Sequence, residues 1–95
     1  MEIITLADAK AHLRVDFYDD DVVLGRMVEA ANSHVSALIY PDDEPDQAPP
    51  DIAQAALLIA GHWYMNRENA SDGALVDIPL NAAEILANHR AWSFG

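Results

Sequence analysis

Residues 50–68 decide the fold, and they read PDIAQAALLIAGHWYMNRE. A proline suits the first position of a helix and an aspartate suits its first turn, so we predict a helix from Pro50 to about Glu68. Between Ile52 and Gly61 the only polar side chain is that of Gln54. A helix that is apolar on nearly every face lies at the centre of a structure. Its neighbours are either the other helices of the chain or a second subunit, and the sequence leaves both alternatives open.

Two helices are predicted before this central one. Thr5 and Asp8 mark the start of a short first helix, which is expected to end near Arg14. A second helix is predicted from about Asp20 to Ile39, with any of the acids Asp19–Asp21 as its cap. Its polar face is expected to contain Gly25, Arg26, Glu29, Asn32, Ser33 and Ser36. The small residues on that face either admit a neighbouring helix or are plain surface positions.

The segment Tyr40–Pro50 is predicted to be a loop. It holds four prolines in 11 residues, with acids between them. Prolines at that density exclude a helix, and the charges are typical of a solvated connector. No pair of segments reads as two strands. We therefore predict one all-α domain over residues 1–95, a small bundle of four or five helices with this Pro/acid-rich loop and an extended apolar connector before the last helix.

That apolar connector is Asn69–Leu80. Turn-forming residues begin it, and Leu75, Val76 and Ile78 then add apolar side chains. Apolar surface is costly in water, so this segment is expected to pack on its own core or to reach a neighbouring subunit.

The last helix is predicted from about Ala82 to His89. Asn81 and Glu84 form a capping-box pattern at its start. Trp92 and Phe94 follow it, and two aromatics in the last four residues are unusual for a frayed chain end. They are expected to be tucked into the core or held for a partner.

Charge and composition exclude several classes of function. Sixteen acidic and five basic residues give a net charge of −11, and no two basic residues are adjacent. Tight DNA binding needs clustered Lys and Arg, so a groove-reading role is excluded. The acidic charge is compatible with the wall of a channel through which DNA passes without binding. Alternatively, the charge only keeps the chain soluble. The chain lacks cysteine, and its longest apolar run is about half of what a bilayer needs, so we expect a soluble protein.

No arrangement of residues predicts catalysis, a metal or a cofactor. The four histidines fall in four different predicted helices, without the close spacing of metal ligands. The acids from Asp16 to Asp21 fail the calcium-loop pattern, because Tyr18 and Asp21 stand at its third and sixth positions. The serines lie in no nucleophile motif, and the paired carboxylates lie in predicted wet loops. We therefore expect a protein that is not an enzyme.

The order of these segments resembles the head–tail connector (adaptor) family of tailed bacteriophages and prophages, whose members are often described as phage DNA-packaging proteins. The resemblance is carried by Ile4–Val15, Asp19–Asp21 with the second helix, Pro50–Ala55, Tyr64–Glu68, Ile78–Leu80 and Leu86–Trp92. It covers nearly the whole chain. Family members often have a glycine near Asn81 and Pro-Tyr-Arg where this chain has Asn88-His89-Arg90, which leaves open how the last helix docks.

The resemblance implies a structural virion protein at the head–tail junction, present in the host cytoplasm during assembly. Its subunits are expected to form a ring, a dodecamer, that docks under the portal, extends the DNA channel and contacts neck or tail completion proteins. DNA would pass through without sequence-specific binding. No cofactor and no membrane are implied.

A ring needs two different adhesive faces on each subunit. The apolar third helix and the apolar connector are the candidates. The candidate interface residues are Leu58, Trp63, Arg67, Glu68, Leu75, Val76 and Ile78. Arg67 and Glu68 either make charged contacts across the interface or only cap their own helix. The candidates for docking to the portal or neck are Arg90, Trp92 and Phe94.

Two other functions compete with this one. The first is a small acidic binding module, such as a DNA mimic or an antitoxin-like inhibitor, which needs carboxylates spaced like phosphates on one exposed face. The acids here are crowded into loops, which favours the connector. The second is an enzyme with an unrecognised site, for which a pocket holding two histidines and a carboxylate would be the evidence.

Overall fold

The computed structural model describes residues 1–42, 45–66 and 78–93, with only the backbone for residues 90–93. These ranges contain four helices, α1 (Leu6–Leu13), α2 (Asp21–Ile39), α3 (Pro50–Met65) and α4 (Leu80–Ser93), and they contain no strand. The predicted all-α bundle is confirmed. The prolines of the loop between α2 and α3 separate those helices as predicted.

Helix α3 is the centre of the bundle and packs against α1, α2 and α4. It runs antiparallel to α2, because the Tyr64 hydroxyl near its end donates a hydrogen bond to the Asp20 carboxylate at the start of α2. It also runs antiparallel to α4, because His89 late in α4 lies 3.7 Å from Asp51 in the first turn of α3. Eight of its 16 residues are buried, so the other helices of the subunit cover one whole side of it. The core consists of Ile4, Ala9, Leu24, Val28, Ala31, Val35, Ile52, Ala55, Ala56, Ile59, Ala60, Trp63, Tyr64, Ala82 and Leu86.

Helix α1 begins and ends where the sequence predicts. The Thr5 hydroxyl accepts the Asp8 N–H at 3.1 Å, and the Asp8 carboxylate accepts the Thr5 N–H at 3.0 Å, which forms a complete capping box. At the other end Arg14 takes the left-handed conformation, with φ of 58°. The N–H groups of Arg14 and Val15 then donate to the carbonyls of Ala11 and Lys10. This pattern satisfies carbonyls that the end of a helix otherwise leaves without partners.

The aspartates at the start of α2 make contacts that the sequence did not predict. Asp20 occupies the capping position, but its side chain makes no capping hydrogen bond. Its carboxylate accepts the hydrogen bond from Tyr64 instead. The Asp21 carboxylate pairs with the Lys10 ammonium at 2.7 Å. The acids at the start of this helix therefore connect α2 to α1 and α3 as well as facing the positive end of the helix dipole.

The prediction that Asn32 and Ser36 lie on a wet face is wrong, because each is only 8% exposed. The Asn32 amide oxygen accepts the N–H groups of Ile3 and Ile4, and its nitrogen donates to the Ile4 carbonyl at 2.9 Å. Ser36 donates to the Met1 carbonyl at 3.4 Å. The extended N-terminal segment covers this side of α2, and the two polar side chains satisfy its backbone groups.

Helices α3 and α4 differ from their predicted ranges at three ends. Helix α3 stops at Met65, and the Asn66 backbone N–H and side-chain amide both donate to the His62 carbonyl in its last turn. Helix α4 begins earlier than predicted, at Leu80, and extends to Ser93. Asn81 therefore lies inside the helix, where its side chain accepts its neighbour's N–H. The predicted Asn81–Glu84 capping box does not start the helix.

Candidate subunit interface

Among the residues that the structure describes, the large exposed hydrophobic side chains lie at one end of the bundle. The large hydrophobic residues that the structure records as exposed are Phe17, Tyr18, Val22, Met65 and Leu80. They lie just after α1, at the start of α2, at the end of α3 and at the start of α4. Because α3 is antiparallel to both α2 and α4, these positions share one end, which we call the apolar end. Exposed apolar side chains that lie at one end in this way are candidates for contact with another protein.

One part of the apolar end is an edge formed by Phe17, Tyr18 and Val22, called the aromatic edge below. Tyr18 is 82% exposed. One face of its ring nevertheless has a partner, since the Lys10 ammonium lies 5.0 Å from the ring centroid. The same ammonium pairs with the Asp21 carboxylate at 2.7 Å. The subunit thus presents an aromatic ring to solvent with an ion pair behind it.

The other part of the apolar end is a cleft of about 280 Å³ between α1, α3 and the start of α4, called the α3–α4 cleft below. Its described lining consists of His12, Leu13, Leu58, Gly61, His62, Met65, Asn66, Pro79 and Asn81. Gly61 lets α1 lie close to α3, because a Cβ at that position would come 3.2 Å from the Leu13 side chain. None of these lining residues carries a carboxylate. The cleft is apolar at its base and has imidazole and amide groups at its rim.

The predicted interface residues differ in burial and in position. Leu58 is partly buried and lines the α3–α4 cleft. Ile78 is partly buried and packs against the core directly before α4. Trp63 is only 3% exposed and makes an edge-to-face contact with His34, so it belongs to the core of the single subunit. The other predicted residues, Arg67, Glu68, Leu75 and Val76, lie outside the described residues.

The opposite end of the bundle is closed by side-chain contacts. The His89 ring lies edge-on to Tyr40 at 6.1 Å, and its Nδ1 lies 3.7 Å from the Asp51 carboxylate. Burial, and then the Asp51 charge, raise the pKa of the Tyr40 phenol above its ordinary value of 10.0. These three residues join the end of α2, the start of α3 and the end of α4. We call this the closed end.

The predicted docking residues follow His89 at the closed end. The backbone of Arg90 and Trp92 continues α4, while their side chains and Phe94 lie outside the described residues. Helix α4 has 14 residues, which corresponds to about 21 Å of length. The candidate docking segment is therefore separated from the apolar end by the length of a helix.

A second cleft, of about 670 Å³, lies between the N-terminal segment and the proline-rich loop. Glu2 and Asp46 line it, together with Ile3, Gln47, Ala48, Pro49, Pro50 and Ala53. Unlike the α3–α4 cleft it carries carboxylates. On a chain with a net charge of −11, the two clefts therefore differ in whether they repel an acidic neighbour.

The histidines are spread through the bundle. His12 and His62 line the α3–α4 cleft, His34 contacts Trp63 and His89 belongs to the closed end. Among the side chains that the structure describes, no three His, Asp or Glu residues stand close enough to hold a metal ion. No helix in the described ranges has the length and apolar character needed to cross a membrane.

Sequence reasoning missed the aromatic edge and the exposed Met65 and Leu80. Phe17 and Tyr18 directly precede three aspartates, and two aromatics beside a run of acids were an available signal. Val22, Met65 and Leu80 offered no such signal. Their exposure depends on which sides of three helices are left uncovered at one end of the bundle.

The chain was compared with known families, curated proteins and solved structures. A family model described as phage gp6-like head-tail connector protein matches residues 3–90. No curated protein matches the chain, and neither does any solved structure. The family match covers all of α1, α2 and α3 and most of α4.

Proposed function

The chain belongs to the phage gp6-like head–tail connector family, and from this premise we propose that its copies form a ring which docks under the portal, extends the DNA channel and joins head to tail. Proteins of this family are structural connectors of the phage particle. The family match over residues 3–90 is the observation that carries the proposal. A dodecamer is the expected ring, placed at the head–tail junction of the virion.

The distribution of exposed apolar groups supports assembly into a ring. Neighbours in a ring meet through two unlike surfaces of the same subunit. The aromatic edge and the α3–α4 cleft are two such surfaces, one projecting and one concave. Both are built from described residues.

The strong negative charge suits a channel for DNA. With 16 acids and five bases, the subunit offers a duplex few cations to hold its phosphates. A negative wall repels the backbone and leaves the duplex mobile during packaging and ejection. We propose that DNA passes the ring without sequence-specific contacts.

The end of the chain is proposed as the segment that docks to the portal or to neck proteins. Helix α4 carries it away from the apolar end, so docking and ring contacts use different parts of the subunit. Arg90, Trp92 and Phe94 supply a cation and two aromatic rings, residue types enriched at protein interfaces.

Light scattering coupled to size-exclusion chromatography tests the ring, with the full chain over a range of concentrations and with its phage's portal protein added. The expected result is a ring, alone or on the portal, visible by electron microscopy. A monomer under every condition, including with portal present, contradicts the proposal.

Deletion of residues 91–95 is expected to abolish portal docking while the circular dichroism of the helices is retained. Normal docking of that variant rules out the tail assignment.

A further inference from the structure

We infer that the aromatic edge of one copy docks into the α3–α4 cleft of the next copy, with Tyr18 as its central contact. This inference rests on the proposed ring and specifies the contact that builds it. The occupant of the cleft is a second copy of this chain. The alternatives are a portal or tail protein, or residues 67–77 of the same subunit.

The aromatic edge is already organised before any partner arrives. Lys10 lies over the Tyr18 ring and pairs with Asp21, and the Tyr18 carbonyl accepts the Asp21 N–H at 3.0 Å. A side chain that is fixed in advance loses little conformational entropy on binding. Tyrosine is also among the residue types that dominate binding energy when they enter a pocket. Tyr18, which is 82% exposed in the subunit and contacts Lys10 with its ring, therefore has the properties of an interface anchor.

The α3–α4 cleft is a shallow, open depression with room for one or two side chains. Its volume of about 280 Å³ falls just below the range of roughly 300–1,000 Å³ that small-molecule sites occupy. Leu58 and Leu13 provide an apolar floor, and Met65 at the rim is a flexible side chain that adapts to the shape of a partner. The amides of Asn66 and Asn81 offer hydrogen-bond partners for a phenol hydroxyl.

Among the residues that the structure describes, charge favours this cleft over the larger one as the site for a second copy. The aromatic edge is flanked by the exposed carboxylates of Asp16 and Asp19. The described lining of the cleft has no carboxylate and includes two imidazoles, those of His12 and His62. The larger cleft near the N-terminus contains Glu2 and Asp46, which would repel the acidic flanks of the edge.

Engineered cysteines test the contact, because the natural chain contains none and each introduced pair is unambiguous. Val22→Cys is placed on the aromatic edge and Met65→Cys on the rim of the cleft; both sites are exposed. The two single variants are mixed before assembly and then oxidised. A disulfide forms only where two Cα atoms come within about 7 Å. We expect a covalent dimer from the mixture and none from either variant alone.

The double variant Val22→Cys/Met65→Cys distinguishes a ring from a two-fold pair. Edge-to-cleft contacts that continue around a ring give a ladder of covalent multimers on a non-reducing gel. A product that stops at the dimer overturns the inferred arrangement. The matched control pairs Met65→Cys with Ala37→Cys, an exposed site on α2 about 22 Å along the helix from Val22, and is expected to give no ladder.

Substitution of Tyr18 provides a second test of the inferred contact. Tyr18→Ala is expected to raise the concentration for half-assembly about tenfold or more, with unchanged helical circular dichroism. Glu29→Ala, at an exposed position farther along α2, is the control and is expected to leave assembly unchanged. Equal assembly of wild type and Tyr18→Ala overturns the inference.

The outcomes separate this inference from the proposed function. Assembly of the wild-type chain without a Val22–Met65 cross-link overturns the inferred contact but leaves the ring intact. The same result is expected if a portal protein or residues 67–77 fill the cleft. Absence of any assembly, with or without portal, contradicts the proposed function itself.

Discussion

Among the described residues, five large hydrophobic side chains face solvent at the apolar end, whereas at the closed end Tyr40 and Asp51 both lie against His89. Both ends are formed by α2, α3 and α4, so the difference does not come from the architecture. At the closed end the described polar groups have neighbours within the subunit. The apolar end leaves apolar groups for another molecule to cover, which is the arrangement that a protein built for assembly requires.

The largest expected effect on the free energy of unfolding comes from a comparison of two leucines in α4, one buried and one exposed. Leu86 is 2% exposed and Leu80 is 75% exposed, both in α4. Leu86→Ala leaves a cavity in the core and is expected to lower the free energy of unfolding by about 2–5 kcal/mol. Leu80→Ala is expected to change it by no more than about 0.5 kcal/mol. Urea denaturation followed by circular dichroism measures both, and equal losses would remove the distinction between core and apolar end.

A second test addresses the polar side of α2. Asn32→Ala removes three hydrogen bonds to Ile3 and Ile4 and leaves buried backbone groups without partners, so a loss of roughly 2–3 kcal/mol is expected. The exposed neighbour Ser33 provides the control, since Ser33→Ala is expected to be near neutral. Hydrogen exchange at Ile4 should accelerate in Asn32→Ala alone. Unchanged exchange there would show that the N-terminal segment is held by other contacts.

Two glycines allow a smaller comparison. A Cβ at Gly25 would meet nothing within 4 Å, whereas one at Gly61 would come 3.2 Å from the Leu13 side chain. Gly25→Ala is therefore expected to stabilise the subunit by about 0.5–1 kcal/mol through helix propensity. Gly61→Ala is expected to gain less, because Leu13 must shift and the α3–α4 cleft changes with it. Thermal unfolding of the two variants decides the point, and an equal gain at both positions contradicts the close packing of α1 on α3.

The smallest expected effect is a pH dependence at the closed end. The folded structure raises the pKa of Tyr40, so folding favours the protonated phenol. The contribution to stability is fully present below the unfolded pKa of about 10 and is lost as the pH rises through the higher folded pKa. Tyr40→Phe should therefore weaken the loss of stability above pH 10, as measured by urea denaturation at several pH values. Ser33→Ala, which changes an exposed side chain with no titratable group, should keep the wild-type alkaline profile.

The helices themselves were predictable from local sequence. The Thr5–Asp8 capping box, the prolines after Tyr40 and the apolar face of α2 each act within a few residues, so the sequence contains the whole cause. The central position of α3 followed from its composition. The family was also identifiable from the order of segments, and the family match over residues 3–90 confirms it.

The candidate interface was less predictable. The sequence assigned it to the third helix and the apolar connector, and the structure includes Leu58 and Ile78 in or near the apolar end. Trp63 looks like an interface residue from its type alone, but its side chain faces inward between α2 and α3. Aromatic character does not reveal on which side of a packed helix a residue lies.

The sequence by itself determined the all-α character, the order of the four helices that the described residues form, the acidic charge and the absence of cysteine, because each of these follows from composition or from interactions between near neighbours in the chain. Only the tertiary structure decided that Asn32 is buried, that Asp20 and Asp21 bind Tyr64 and Lys10, and that five exposed hydrophobic residues meet at one end. Those outcomes depend on which distant segments cover one another, and helical periodicity does not specify that.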